Sequence, residues 1–243
     1  MTARFFCPPP LVAGAEIALP AGSAHHAAQV LRLRVGDAVT LFDGEGGEYG
    51  AQIARVTPKA VSLRVVERRP IERESPLSIT LVQALVSAER MDYAIQKAVE
   101  LGAAAIAPVA TARSVTRLDG ARAERRVEHW RQIAIASCEQ CGRNRVPAVH
   151  APCELREWLS RPSEAGLRLL LAPGATQSLA DLPPPDQGVE LLIGPEGGLA
   201  PDEEAAALAS GFRGLRLGPR ILRTETAGPA MLAAMNALWG DWR

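Results

Sequence analysis

A chain of 243 residues is long enough for one large domain or two modest ones, and 47% hydrophobic residues are enough for a real core. Twenty-seven basic residues balance 27 acidic ones, so no global field draws the protein to nucleic acid; no apolar run approaches the ~18 residues of a membrane span. The opening MTARFFCPPPLVAG lacks the long apolar stretch of a secretory signal, and the expectation is a soluble, cytoplasmic protein.

The first 70 residues or so read as mostly β. Ser23 is placed to cap a short helix over residues 24–31. Residues 39–42 are strand-like, Asp43-Gly44-Glu45-Gly46-Gly47 form a turn, and residues 49–56 alternate as a returning strand. Thr57-Pro58-Lys59 turn the chain again, and residues 60–66 alternate once more. Short strands at this spacing predict a small barrel. The run ERRPIERESP, residues 67–76, is charged and carries two prolines, the composition of a linker. Its end, residues 73–76, divides an N-terminal domain over 1–72 from a second domain over 77–243.

The pattern then changes to strands alternating with helices. A strand over 77–86 precedes a helix over 90–101, with Met91, Ala94, Ile95, Ala98 and Val99 inward and Gly102 ending it. A strand over 105–109 follows, then a long helix capped by Asp119 and running to about Cys138. A short helix covers 154–159 and another strand 167–171. The last two segments share one logic. Leu191, Leu192 and Ile193 lead into Gly194-Pro195-Glu196-Gly197-Gly198, after which Pro201 and the acidic Asp202, Glu203 and Glu204 open a helix. Leu215 and Leu217 lead into Gly218-Pro219, and a final helix carries Met231, Leu232, Met235, Leu238 and Trp239 on one side. This is βα alternation with a mainly parallel sheet, and two Gly-rich turns at the ends of neighbouring strands are where small ligands bind.

Only Lys59 and Lys97 are lysines, so the basic residues are nearly all arginine, through codon bias or through arginine's fit to phosphate. Eight of them fall between Ala110 and Pro147 against four acidic residues, a local excess suited either to phosphates or to a solvated helix face. Cys138-Glu-Gln-Cys141 has the C-x-x-C spacing of redox and zinc sites. No second such pair exists, and the pair closes a helix instead of opening one, so packing or loop positioning is the expectation and no metal is assigned.

GPEGG is neither a phosphate-binding Walker loop, since no Gly-Lys-Ser/Thr follows, nor a dinucleotide fingerprint. Glycine and proline in two such turns present bare backbone to a flat heterocycle. Arg223-Thr224-Glu225-Thr226 reads either as a capped helix start or as a site where Arg223 meets a negative charge.

LLIGPEGGL together with LGPRILRTETA resembles the cofactor-binding end of SPOUT-class methyltransferases, and more narrowly the family that methylates N3 of a uridine in 16S ribosomal RNA. The resemblance extends to HHAAQVLRLRVGD (25–37), RMDYAIQKAVELG (90–102) and SCEQCGRNRVP (137–147), nearly the whole chain. It implies an N-terminal PUA-like β-barrel that binds RNA and a C-terminal SPOUT domain of α/β class containing a trefoil knot. S-adenosyl-L-methionine would be the cofactor, 16S rRNA within the small ribosomal subunit the substrate, and the enzyme a homodimer. Carried over by motif, the cofactor contacts are Ile193, Gly194, Glu196, Gly197, Gly198, Leu217, Gly218 and Leu222. Two departures are Ala200, where Ser or Thr would cap better, and Gly228-Pro229 straight after TETA, which would shift the start of the last helix.

Uridine N3 is a poor nucleophile until its proton leaves, and it lies in the pairing edge, so the base must be unpaired or flipped. Arg223 is the candidate to stabilise the uridine anion, with Glu225 orienting it or assisting proton removal. Gln140, Arg143 and Arg145 are candidates to grip RNA near the active site, with Arg32 and Arg34 on the barrel. The competing readings are ribose 2′-O transfer on the same fold, a non-catalytic RNA-binding or ribosome-assembly module, and a nucleotide-binding α/β enzyme.

Overall fold

The computed structural model describes residues 2–57 and 60–242, which fall into two compact units. One contains the N-terminal residues to Glu74 together with Ile135–Val146; the other contains Ser75–Ala134 and the chain from Pro147 onward.

The first unit is built on a mixed five-stranded sheet, in the order β1-β3-β4-β5-β2. Its strands are β1 (Arg4–Phe6), β2 (Glu16–Ala18), β3 (Ala38–Phe42), β4 (Glu48–Val56) and β5 (Val61–Arg69). Only β1 and β3 are parallel, and register shifts at Gly50/Ala51 and Ile53/Arg55 add twist that curls the sheet. The first half of β5 alternates buried with half-buried or exposed positions, so Val61, Leu63 and Val65 join Phe5, Leu41 and Ile53 in one core.

Two expectations are corrected here. The helix over 24–31 is instead α1 (Ala21–His25), entered from Pro20, followed by a π-helical turn, His26–Val30; Ser23 lies inside it and caps nothing. The charged run is not all linker, because β5 continues through Arg69, pairing Glu67, Arg68 and Arg69 with Gly50, Tyr49 and Glu48. Glu72 and Glu74 then accept hydrogen bonds from the Gly47 N–H and from Arg143. Part of the charge that reads as solvated is here spent on ion pairs, Arg73 with Glu48 and Glu74 with Arg143. The expected turn at Thr57-Pro58-Lys59 falls at Pro58 and Lys59 outside the described residues.

The second unit is a seven-stranded parallel sheet, with strands β6 (Ile79–Ala84), β7 (Ala105–Ala110), β8 (Ala148–Val149), β9 (Cys153–Glu154), β10 (Leu167–Leu171), β11 (Val189–Ile193) and β12 (Arg213–Leu215). Their order is β12-β10-β11-β6-β7-β8, with β9 also pairing β7. The helices are α2 (Ala88–Glu100), α3 (Gly120–Cys141), α4 (Leu155–Ser160), α5 (Pro201–Ala209) and α6 (Thr224–Trp239). Parallel strands covered on both faces read as continuous apolar runs, and β11 is buried at all of its positions. Val82, Leu170 and Leu192 meet Leu155, Trp158 and Ala207 of α4 and α5 on one face. On the other, α6 lies so close that a Cβ on Gly228 would stand 3.3 Å from Leu81.

The inward residues of α2 are as expected, and Asn236 ties α6 to its end by donating to the Leu101 carbonyl. Along α6, Met231, Leu232 and Met235 are buried but Leu238 is 46% exposed, so the apolar stripe is narrower than the pattern implies. Gly228-Pro229 does not displace the helix start, which is Thr224, and Pro229 sits inside the helix. Ala200 does precede α5 without a side-chain cap, and the Glu203 carboxylate accepts the Ala200 N–H instead.

Candidate active site

Because the strands are parallel, the carboxyl ends of β10, β11 and β12 share one edge of the sheet, close to β6, where the strand order reverses. A cavity of about 720 Å³ opens there, lined by Leu170–Pro173 at the end of β10, by the turn after β11 and by residues 215–224 from the end of β12 onward. The two Gly/Pro turns therefore face one space.

The first turn closes with the Gly198 N–H donating to the Pro195 carbonyl, and Gly198 takes φ +69°. Gly218 in the second turn takes φ +72°; in both, the left-handed backbone and not lack of space demands glycine, since a Cβ would meet nothing within 4 Å. Among the described residues no protein acceptor meets the backbone N–H of Leu217, Gly218 or Leu222. Thr224 staples the turns together: its hydroxyl donates to the Gly194 carbonyl at 2.7 Å and accepts from Gln83 Nε2 at 3.0 Å.

Of the cofactor candidates, Ile193, Gly194, Glu196, Gly198, Leu217, Gly218 and Leu222 line the cavity. Gly197 stands behind it, its carbonyl accepting from Arg113 at 2.7 Å. Arg223 is exposed on the cavity wall at the entry to α6. Glu225 is mostly buried, and the cation beside it is Arg90, with Nε 3.7 Å from Oε1. Arg90 also donates to Glu196 at 2.6 Å. Sequence reasoning passed over Arg90, Arg113 and Thr224 as site residues. The one signal for Arg90 is its place at the head of RMDYAIQKAVELG, where the apolar face of the helix drew attention instead.

The RNA candidates all belong to the first unit. Arg32, which takes φ +53°, and Arg34 are exposed beside exposed Val30, Leu31 and Val35. Gln140 and Arg145 are exposed as well, with Arg145 3.8 Å from Glu72. Arg143 is 5% exposed, and its guanidinium holds both oxygens of Glu74, so it braces the loop from within. Burial pushes the Cys138 thiol up to about 12, so it stays protonated at neutral pH and donates to the Arg145 carbonyl, which is loop positioning.

Comparison with known proteins adds independent findings. Residues 73–236 match the RNA methyltransferase domain family, and residues 19–66 match the RNA methyltransferase PUA domain. The ribosomal RNA small subunit methyltransferase E of Mycobacterium bovis is 35% identical over 234 residues, 94% of this chain and 89% of that protein. That of Buchnera aphidicola subsp. Schizaphis graminum is 33% identical over 225 residues, 93% and 92% of the two. The crystal structure of a ribosomal RNA small subunit methyltransferase E from Neisseria gonorrhoeae bound to S-adenosyl methionine aligns with a TM-score of 0.92 and 38% identity, covering 100% of both chains.

Proposed function

This chain belongs to the ribosomal RNA small subunit methyltransferase E family, and from that premise we propose that it methylates N3 of a uridine in 16S ribosomal RNA, with S-adenosyl-L-methionine as methyl donor. The observation that carries the reading is the single cavity walled by both Gly/Pro turns. The residues there suit the donor. Leu170, Ile193, Leu217 and Leu222 offer apolar walls to a flat base, the backbone N–H groups of 217, 218 and 222 await acceptors, and Glu196 and Glu204 offer carboxylates to hydroxyls or an ammonium.

The donor, when bound, supplies an electrophilic methyl group on a sulfonium. Everything else falls to the protein. Glu225 takes the N3 proton, and Arg223, at the cavity wall, meets the negative charge that this leaves on the uracil oxygens. Glu225 pairs with Arg90 and, among the described residues, makes no ion pair with Arg223, so its proposed role is that of proton acceptor and not of support for Arg223.

Residues 1–72, the greater part of the first unit, are proposed as the RNA-binding PUA-like domain, with 77–243 as the methyltransferase domain. Arg32 and Arg34 of that domain, and Gln140 and Arg145 of the segment Ile135–Val146 in the same compact unit, are the proposed RNA contacts. The return of α6 from the sheet edge at β12 to pack on α2 and β11 supports a trefoil knot. A homodimer acting in the cytoplasm on the small subunit completes the reading. Among the described residues, no helix is long and apolar enough to cross a membrane.

The test is transfer of radiolabel from S-adenosylmethionine to 30S particles and free ribosomal RNA from a strain lacking the gene, followed by nucleoside digestion. Label in 3-methyluridine is the expected result. Label in a 2′-O-methylated nucleoside would keep donor and fold but overturn the chemistry assigned to Arg223 and Glu225.

A further inference from the structure

Between Phe212 and Thr224 the chain carries four arginines and no acidic residue. Three of them, Arg216, Arg220 and Arg223, are exposed, line the cavity, and make no ion pair or side-chain hydrogen bond among the described residues. The two carboxylates that line the same cavity do not neutralise them. Glu196 is taken by Arg90, and Glu204 makes no ion pair among the described residues. The methyl donor brings a single carboxylate, too few for three guanidiniums. Between Arg220 and Arg223 stands Ile221, at 83% the most exposed large hydrophobic side chain among the described residues. A lone exposed isoleucine asks for no explanation on an ordinary surface, but this one belongs to a cavity lining and stands between unpaired cations. The segment is tied at both ends, by the Arg216 N–H on the Gln177 carbonyl at 2.9 Å and by the Thr224 hydroxyl on the Gly194 carbonyl. Residues 216–223 thus form an arch over the cavity edge whose outward side chains are cations around one apolar spot.

We propose that this arch is the docking surface for the acceptor strand. Arg216 and Arg220 each hold a phosphate beside the target nucleotide, and Ile221 packs on a base face laid bare when the target leaves its stack. Arg223 stays with the target base itself. The proposal rests on the methyl-transfer reading above, and charge chooses the occupant: surplus guanidiniums fit a polyanion, and an apolar spot among them fits an unstacked base.

The experiment uses the full chain and 30S particles from a strain lacking the gene. It measures particle affinity between about 50 and 200 mM salt, single-turnover methylation at saturating particles, donor affinity by calorimetry, and mass by sedimentation equilibrium. Arg216→Ala and Arg220→Ala are each expected to flatten the dependence of log affinity on log salt by about 0.7–0.9, with donor Kd within about threefold of wild type. Arg216→Lys and Arg220→Lys, which keep the charge, are expected to keep the wild-type slope. Ile221→Ala is expected to keep that slope as well but to lose about tenfold in rate at saturating particles, and Ile221→Leu to recover most of it. Salt slopes unchanged in both arginine-to-alanine variants would overturn the phosphate contacts, and a wild-type rate in Ile221→Ala the apolar one. Donor affinity falling in step with rate would overturn the surface and return these residues to the donor site. A wild-type dimer that becomes monomeric in Arg220→Ala or Ile221→Ala would overturn it too, making the arch a face between two copies of the chain. Wild-type protein that binds the donor yet methylates no RNA would instead sink the underlying reading, a result separate from unchanged slopes in an enzyme that does methylate.

Discussion

Arg223 stands exposed where the chain enters α6, on the wall of the cavity. A guanidinium there adds nothing to burial, so its removal tests chemistry without disturbing the core. Arg223→Ala is expected to cut methylation about 10²–10³-fold, the usual loss for one group that stabilises developing negative charge, with donor affinity unchanged in calorimetry. Equal loss of both would make it a donor ligand. The glycines separate in the same way. Gly218→Val imposes a β-branched side chain on a left-handed backbone, a strain of about 1–2 kcal/mol, and is expected to abolish donor binding. Gly197→Ala places its Cβ in ordinary contact, 3.4 Å from Arg113, and is expected to bind the donor nearly as wild type does. The GPEGG string marks its glycines equally; only the backbone angles tell Gly198, which needs the left-handed region, from Gly197, which does not.

Between elements, the decisive contact is Thr224. It is 5% exposed, and its hydroxyl joins the end of β11 at the Gly194 carbonyl to Gln83 on β6, so one atom sets the start of α6 against two strands. Thr224→Val keeps the shape and strips the hydroxyl, leaving the half-buried Gly194 carbonyl without this donor and the buried Gln83 amide with only the Ala84 carbonyl. The expected cost is about 1–3 kcal/mol in urea denaturation, with weaker donor binding because the two turns are no longer tied. A variant as stable as wild type would show that neither partner depends on Thr224. Sequence reading allowed this threonine only the part of a helix cap. No side-chain capping bond is made at that end of α6; the hydroxyl is used across the sheet instead.

Across the whole molecule, pH acts through charges buried in the first unit. Burial pushes the Glu48 carboxyl up, but hydrogen bonds and charge from Arg73 and Arg4, each at 2.9 Å, outweigh it and hold it below its ordinary 4.5. A lowered acid contributes stability that is complete above pH 4.5 and lost as pH falls through the folded value. Glu139 has the opposite sign. Burial raises its carboxyl despite the Phe6 N–H bonded to it, so its penalty at neutral pH is relieved as pH falls toward the raised value. The urea midpoint is therefore expected to rise somewhat below neutrality and then drop below pH 4.5. Glu48→Gln should flatten the drop and Glu139→Gln the rise; a Glu48→Gln profile parallel to wild type would remove Glu48 as the cause. Sedimentation equilibrium tests the proposed assembly separately, a homodimer giving twice the chain mass.

What the amino-acid order determined alone is whatever local physics enforces. The apolar runs of β10 and β11, the inward face of α2 and the Gly/Pro turns at 194–198 and 218–219 follow from side-chain period and from backbone angles that few residues adopt. Composition misled where charges find partners, as at Arg73, Glu74 and Arg143, because a paired charge and a solvated one look the same in a string of letters. Tertiary structure decided the rest. The strand order β12-β10-β11-β6 brings both turns to one cavity and sets Arg90 between Glu196 and Glu225, residues from three distant parts of the chain. Strand order comes from how whole helices cover the two faces of a sheet, and no local pattern carries that information.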